Sequence, residues 1–248
     1  NQPKYSTILG AAKFSGKTKN GWSLGFLESV TDKEFAEIDN AGSRREEIVE
    51  PLTNYFVGRA QKDFNERNSY IGAIFTATNR NLQGEELNFL RKSAYTAGLD
   101  FKHNWKNRKY YFAGNIVTSH VNGSRESITN TQNSLTHLFQ RVDASHVKVD
   151  TMRTSLTGTG GKFDIGKSSV GHWRYGGTFI WRSPELELND VGFLRQADEI
   201  RQYSFISHQT LKPFGYFRRI NTRFEQYSSH DFEGNYNRMQ YSLNGNAN

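Results

Sequence analysis

Two short stretches and a scatter of ionisable side chains are where this sequence could do chemistry. Gly21-Trp22-Ser23-Leu24-Gly25 has the spacing of a nucleophile elbow, which lifts a serine onto a sharp turn between a strand and a helix. Gly158-Thr159-Gly160-Gly161-Lys162 resembles a phosphate-cradling loop. Neither has the surroundings its chemistry requires. Trp22, Leu24 and Phe26 alternate with Ser23 and Gly25, and no helical pattern follows, so Ser23 is expected to be an inward-facing strand serine. The glycine run lacks the first glycine of a phosphate loop, a Ser or Thr after its lysine, and a helix to follow. Strand glycines that permit curvature or close packing explain it better.

The seven histidines, His103, His120, His137, His146, His172, His208 and His230, show no metal-ligating spacing. They are expected to be isolated rim or lumen residues, and no metal or other cofactor is expected. His103 falls in an apolar register beside Trp105. That leaves open serine hydrolysis at a lipid-facing surface, although the sequence does not identify the partner serine.

The remaining charges fall at alternate positions of extended segments. Arg59, Asp63, Asp100, Lys102, Arg174, Arg182, Arg219, Arg223 and Glu225 are the candidate inward-facing, lumen-lining residues. Both signs are present, so pairing across strands is expected as their main role, with an anion-preferring permeation path as the second reading. Trp22, Tyr55, Trp105, Tyr110, Trp173 and Trp181 stand near strand ends. Trp22, Trp105, Tyr110, Trp173 and Trp181 are the candidate membrane-interface aromatics, anchors rather than sugar-stacking platforms.

The elements that must position these residues are long two-faced strands. From Tyr95 to Trp105, Tyr95, Ala97, Leu99, Phe101 and Trp105 share one face, while Thr96, Gly98, Asp100, Lys102 and Asn104 share the other. A polar turn, Lys106 to Lys109, leads into a second strand. In 171–182, Trp173, Tyr175, Phe179 and Trp181 oppose His172, Arg174, Gly176, Thr178 and Arg182. A membrane-crossing β-strand needs about 9–11 residues of this alternation.

Period-two patterning predicts strands over 5–14, 21–30, 54–64, 69–79, 94–105, 109–121, 153–166, 171–182, 199–209, 213–225 and 235–245. In the segment 213–225, Phe214, Tyr216, Ile220 and Phe224 oppose Arg219, Asn221, Arg223 and Glu225, and Arg218 is the one charge in the apolar register. An Arg facing hydrocarbon costs about 2–4 kcal/mol at the midplane, so Arg218 is expected at a rim.

Short connections at 17–20, 65–68, 106–108, 167–170 and 209–212 alternate with long ones at 32–53, 80–93, 122–152 and 183–198. This is the signature of an up-and-down meander with short turns on one rim and long loops on the other. Within the last long loop, the sequence of 185–198 is compatible with one helical turn or two.

Composition agrees. Apolar residues make up 35% of the 248, aromatics 14%, with 22 Gly, 4 Pro and no Cys, and mean hydropathy is −0.75. That is thin for a large soluble core and typical of half-apolar strands. No run approaches the roughly eighteen apolar residues of a membrane helix. The net charge of +7 is dispersed along strands and turns instead of forming a basic run, which argues against nucleic acid as a partner. The chain opens on Asn1-Gln2-Pro3-Lys4 with no leader pattern, so it is expected to be a processed or excised segment of something longer.

Four strings carry a resemblance: Gly10 to Trp22, Glu50 to Arg59, Arg153 to Gly161 and Trp181 to Arg195. They are similar to the C-terminal barrel region of bacterial outer-membrane proteins called domain of unknown function 5916. That region often follows an N-terminal module resembling family 9 carbohydrate-binding domains. The resemblance covers nearly the whole chain. It implies an integral outer-membrane β-barrel in contact with outer-membrane lipid, and possible contact with carbohydrate only through a module absent here.

The expectation is therefore an all-β fold, an antiparallel up-and-down transmembrane barrel. It is present as a single domain over 1–248 that forms a partial arc of about eleven strands. The expected function is a non-enzymatic channel, porin-like, or the membrane anchor of a carbohydrate-handling module. A membrane-embedded hydrolase acting on lipid or glycan, and a soluble all-β carbohydrate-binding protein, remain as alternatives.

Overall fold

Alternating side chains leave each strand with one apolar and one polar face, and only lateral hydrogen bonding to neighbours satisfies its backbone. The computed structural model describes residues 5–210, 212, 213 and 215–248. The opening Asn1 to Lys4, and Phe214 within the expected strand 213–225, lie outside the described residues.

An eleven-stranded antiparallel sheet runs through the chain, with each strand paired to the one before it. Its strands are β1 (Ile8–Lys17), β2 (Trp22–Thr31), β5 (Leu52–Phe64), β6 (Ser69–Asn81), β7 (Arg91–Trp105), β8 (Tyr110–Gly123), β9 (Ser155–Lys167), β10 (Trp173–Arg182), β11 (Glu199–Gln209), β12 (Ile220–His230) and β13 (Tyr236–Ala247). β1 and β13 do not pair with each other, so the sheet is open. A separate hairpin, β3 (Glu34–Asn40) and β4 (Ser43–Glu50), stands in the connection between β2 and β5, where a loop was expected. Its turn at Ala41-Gly42 has both residues at positive φ, 53° and 90°. Charges on both sides of these strands blur the alternation that marks the others.

The expected strand at 213–225 begins instead at Ile220 and continues to His230. Pro213 has no N–H to give a ladder, and Gly215 turns with φ 56°. Tyr216 is consequently fully exposed in a connection that runs from Thr210 to Arg219. Arg218 lies in this connection at the rim, its backbone N–H donating to the Asn248 carbonyl at 2.6 Å. Between β5 and β6, and again between β7 and β8, the turn is made of three consecutive left-handed residues: Asn65, Glu66, Arg67 and Lys106, Asn107, Arg108. Each costs a non-glycine residue about 1–2 kcal/mol, a cost the flanking ladders of 13 to 15 residues can hold.

The register assigns the faces. Leu24, Ala60, Ala73, Leu99, Ile116, Gly161 and Trp181 form one continuous row across seven strands. On β6 the apolar side reads Ile71, Ala73, Phe75, Ala77 and then turns polar at Asn79. These outer residues are uncovered: Leu99 is 62% exposed, Ile71 58% and Leu243 72%. On β11 and β12 the apolar face is interrupted by Gln202, Ser204, Gln226 and Ser228. These satisfy one another through Ser204 to Gln226 at 3.3 Å and Ser228 to Gln202 at 3.5 Å.

The buried core lies on the polar face, under the long connections. The connection after β8 begins with α1 (Arg125–Asn133), capped by the Ser124 side chain on the Ser127 N–H. Its Ile128 is fully buried against Ala94, Val121 and Leu156, a row of inward residues on β7, β8 and β9. Burying that side chain contributes about 1.5–3 kcal/mol. The 183–198 connection forms turns without the helical turns its sequence allowed, and it folds inward as well. Leu186, Leu194 and Ala197 pack on Val117 of β8. The Glu187 N–H donates to the inward Ser119 hydroxyl at 3.0 Å.

This inward fold needs Gly158. A Cβ there would stand 2.1 Å from the Leu186 backbone nitrogen. Gly158→Ala should therefore displace the 183–198 segment, with a loss of about 2–4 kcal/mol from unpacking Leu186. Hydrogen exchange should rise in 183–198 and stay unchanged in β5 and β6. Unchanged exchange in 183–198 would show that the segment does not rest on β9.

Candidate functional site

The polar face carries an ionic array in two sectors. In the first, Gly72 of β6 pairs with Gln61 of β5 and Asp100 of β7, and a Cβ there would stand 3.1 Å from the Arg59 guanidinium and 2.6 Å from the Asp100 carboxylate. With no side chain in the way, the guanidinium reaches across and binds Asp100 through two bonds of 2.9 Å. The array continues along β5 through Gln61, which accepts from Arg59 at 3.2 Å and donates to Asp63 at 3.0 Å. Lys17 of β1 closes it on Asp63 at 2.8 Å. On β9, Lys162 pairs with Asp164 at 2.9 Å. Three cations and three acids here pair one to one, and Arg59, Asp100, Asn115, Lys162 and Asp164 line a cavity of about 450 Å³. Lys102 shares this face without a carboxylate partner among the described residues.

In the second sector, on β10 to β13, arginines outnumber acids. Glu199 is shared between Arg182 and Arg201, each at 2.6 Å. Glu225 takes Arg223 at 2.7 Å, the Tyr203 hydroxyl at 2.5 Å and Ser242 at 3.2 Å. Arg174 lies on this face with Nε buried and unsatisfied. Arg219 sits just before β12 and donates to Gln209 at 3.1 Å. The nine charges expected to face inward thus lie on or beside one face, and two groups of them are brought into direct contact. The sequence reading missed Glu199, Arg201, Tyr203, Tyr227 and Arg238. The signal for the first three and for Arg238 was the same alternation within 199–209 and 235–245, whereas Tyr227 lies past the end of the expected strand 213–225.

Above the sheet, the inward-folded loops carry a third cluster that no local pattern marks. Asp190 bridges Arg80 at 2.8 Å and Arg91 at 2.9 Å, joining the tops of β6 and β7 to the 183–198 segment. Glu187 accepts from buried His137 at 3.2 Å, and the other nitrogen of that ring bonds the Pro184 carbonyl. Burial opposes ionisation of Glu187, but His137, Arg91 and the Asn189 N–H outweigh it and hold the carboxyl below its ordinary range. Glu185 behaves likewise, with burial overcome by the paired Arg153. His146 is opposed by burial and favoured more strongly by Asp198, Glu233 and Asp231, so its pKa is raised. Arg141 also bonds Asp198.

The aromatic candidates sit on the opposite, apolar face. Trp22 lies under the Lys62 ammonium at 5.5 Å. Trp105 is stacked between His103 and Tyr110 at 5.6 and 5.7 Å, and Tyr110 in turn faces Lys106 and Lys109. Trp173 contacts His208 at 4.6 Å. These four stand at the short-turn end of their strands. Trp181 stands elsewhere, at the loop end of β10, level with Leu99 and Ile116 and stacked on Phe163 at 5.5 Å.

Ser23 is an inward strand residue paired with Gln61 of β5, and Gly158 to Lys162 lie inside β9. The serine that the sequence could not place beside His103 is Ser69, whose hydroxyl is 2.7 Å from Nδ1. This contact alone does not provide acyl transfer. Asn65 donates to the same hydroxyl, and stacking on Trp105 rather than a carboxylate orients the imidazole. Among the described residues no group of three or more His, Cys, Asp or Glu could hold a metal.

The loop cluster sets a pH window. The lowered Glu185 and Glu187 contribute stability that is present above the unfolded value of 4.5 and lost as pH falls through their folded values. The raised His146 contributes stability that is present below 6.5 and lost as pH rises through its folded value. Hydrogen-exchange protection of 134–152 and 183–198 should therefore be greatest between pH 4.5 and 6.5, after correction for intrinsic exchange. A protection that climbs steadily to pH 9 would contradict these assignments.

The family model described as Domain of unknown function (DUF5916) matches residues 1–248, the entire chain. No curated protein and no solved structure matches it.

Proposed function

The chain belongs to the family of domain of unknown function 5916, and from that premise we propose that it is an arc of a bacterial outer-membrane β-barrel, its apolar face in lipid and its polar face toward a lumen. The observation that carries this reading is the sheet with two unlike faces. Large apolar side chains stand exposed from β1 to β13 on one side, and ion pairs fill the other. A soluble carbohydrate-binding sandwich would cover the apolar face with a second sheet. The only other sheet among the described residues is the two-stranded hairpin β3–β4. Strands of 10 to 15 residues are ample for a tilted crossing, and Trp22, Trp105, Tyr110 and Trp173 stand where an aromatic girdle would.

Within that barrel we place a channel for small solutes ahead of a passive anchor for a carbohydrate-handling module. The inward loops cover the upper part of β7 to β9 and leave the arginine-bearing face of β10 to β13 open. Such a partial constriction narrows a lumen without filling it.

Leu99→Arg, at the centre of the apolar row, should cost about 2–4 kcal/mol in lipid and impair assembly, whereas Lys102→Ala on the polar face should be tolerated. Heat-modified mobility in detergent reads both, and equal tolerance would overturn the face assignment. In planar-bilayer recordings of the intact protein, steady conductance with an anion preference is expected. Gln at positions 174, 219 and 223 should lower that preference. A folded but silent barrel would make the protein an anchor, and unchanged selectivity would remove these arginines from the path.

A further inference from the structure

The polar face of β11, β12 and β13 contains a cavity of about 380 Å³ whose lining includes Tyr227, Arg201, Arg238, Gln240 and Ser242, together with Glu225, whose carboxylate is held by Arg223. The sheet register explains why these residues meet. Arg201, Ser229 and Arg238 form one row across the three strands, and Tyr203, Tyr227 and Gln240 form the next. Two guanidiniums face the single Tyr227 ring, Arg201 at 5.7 Å and Arg238 at 5.6 Å from its centre. An aromatic face holds a cation in a defined orientation, so both forks are preset instead of sweeping through solvent.

The charges around this cavity do not balance. Arg182, Arg201 and Arg223 share the two carboxylates Glu199 and Glu225. Arg238 has no carboxylate partner among the described residues, and its hydrogen bond goes to the neutral Gln240 amide at 2.5 Å. The excess is therefore two positive charges, one of them the preoriented Arg238 guanidinium with donors to spare. A planar guanidinium of this kind binds an oxyanion through two parallel hydrogen bonds. The amide N–H of Gln240 and the phenol of Tyr227 supply further donors, while the Ser242 hydroxyl is already given to Glu225. The volume lies at the small end of ligand sites.

We propose that this cavity is a binding site for a small oxyanion-bearing solute, a phosphate monoester or a carboxylate, held by Arg238 with Arg201 as the second cation. The site deepens the channel reading and rests on it for direction: it would be the station at which an anion pauses on the open side of the lumen. The binding itself requires only the folded sheet, so its test does not depend on conduction.

Isothermal titration of the intact protein in zwitterionic detergent at low ionic strength tests it, with inorganic phosphate and glycerol 3-phosphate as probes and glycerol as the neutral control. Saturable binding of both phosphates and none of glycerol is expected, weakening as NaCl is raised. Arg238→Gln should weaken phosphate about tenfold and Arg238→Lys by less, because the charge remains and the fork is lost. Lys13→Gln, on the same face at the far edge of the sheet, should change nothing. Gln240→Leu gives a second reading of the cavity, with weaker phosphate binding expected, should the arginine variants fail the heat-modification check for folding. An absence of saturable phosphate binding, or full affinity in both Arg238→Gln and Gln240→Leu, would overturn the site. Phosphate binding by a silent barrel would overturn the channel and leave the site standing, while conductance without phosphate binding would do the reverse.

Discussion

The strict alternation of side chains along a β-strand is the constraint on which the rest of this structure depends. Once Leu99 points one way, Asp100 must point the other, and the ladder passes that choice to each neighbour in turn. A single register slip would put Arg59 and Asp100 in the apolar row and Leu99 among the ion pairs. In the barrel reading, register is fixed by the cost of placing charge on the wrong face, about 2–4 kcal/mol per arginine in hydrocarbon. The same constraint explains the ion pairs. Charges that must all point to one side of a sheet fall within reach of one another, and pairing is how a crowded polar face keeps both signs satisfied.

The loops solve a different problem. Their apolar residues have no sheet face of their own to join, because the outward face already carries the strands' apolar residues. Ile128, Leu186 and Leu194 instead find apolar positions at the inward tops of β7 to β9, where Ala94, Val121, Leu156 and Val117 replace the charges found lower down. Each strand thus changes character along its inward side, polar where the face is open and apolar where a loop covers it. The buried ion pairs Arg80–Asp190 and Arg91–Asp190 then fix which segment lies on which strand. Apolar packing alone is not directional and would not choose among neighbouring strands.

This division also explains what the sequence made legible. Eleven strands, their faces and nearly all their boundaries follow from period two, since that pattern is local and repeats over 10 or more residues. The β3–β4 hairpin was not legible because Glu34 to Glu50 carries charge on both faces, as a hairpin with both sides largely exposed can. The start of β12 was misplaced because Phe214, Tyr216 and Arg218 imitate alternation, while Pro213 and Gly215, the residues that rule out a ladder there, carry no periodic signal. Ser69 beside His103, and Asp190 between Arg80 and Arg91, join residues 34 to 110 positions apart. Only the register and the inward fold of a loop bring them together, and neither can be read from a single strand.

The two halves of the polar face answer differently to the same chemistry. On β1 to β9, Lys17–Asp63, Arg59–Asp100 and Lys162–Asp164 match one cation to one acid, and the unpaired Lys13 and Lys102 stand apart on separate strands. On β10 to β13, three arginines lean on two glutamates and a fourth leans on an amide. A structural ladder gains nothing from that surplus, because a carboxylate at position 240 would pair Arg238 and lower the repulsion among its neighbours. Gln240 stands there instead, and Tyr227 orients the guanidinium without neutralising it. Uncompensated charge on one face of a sheet costs the fold some self-repulsion. In the channel reading, that repulsion is relieved each time an anion enters, which ties the least balanced part of the sheet to what passes along it.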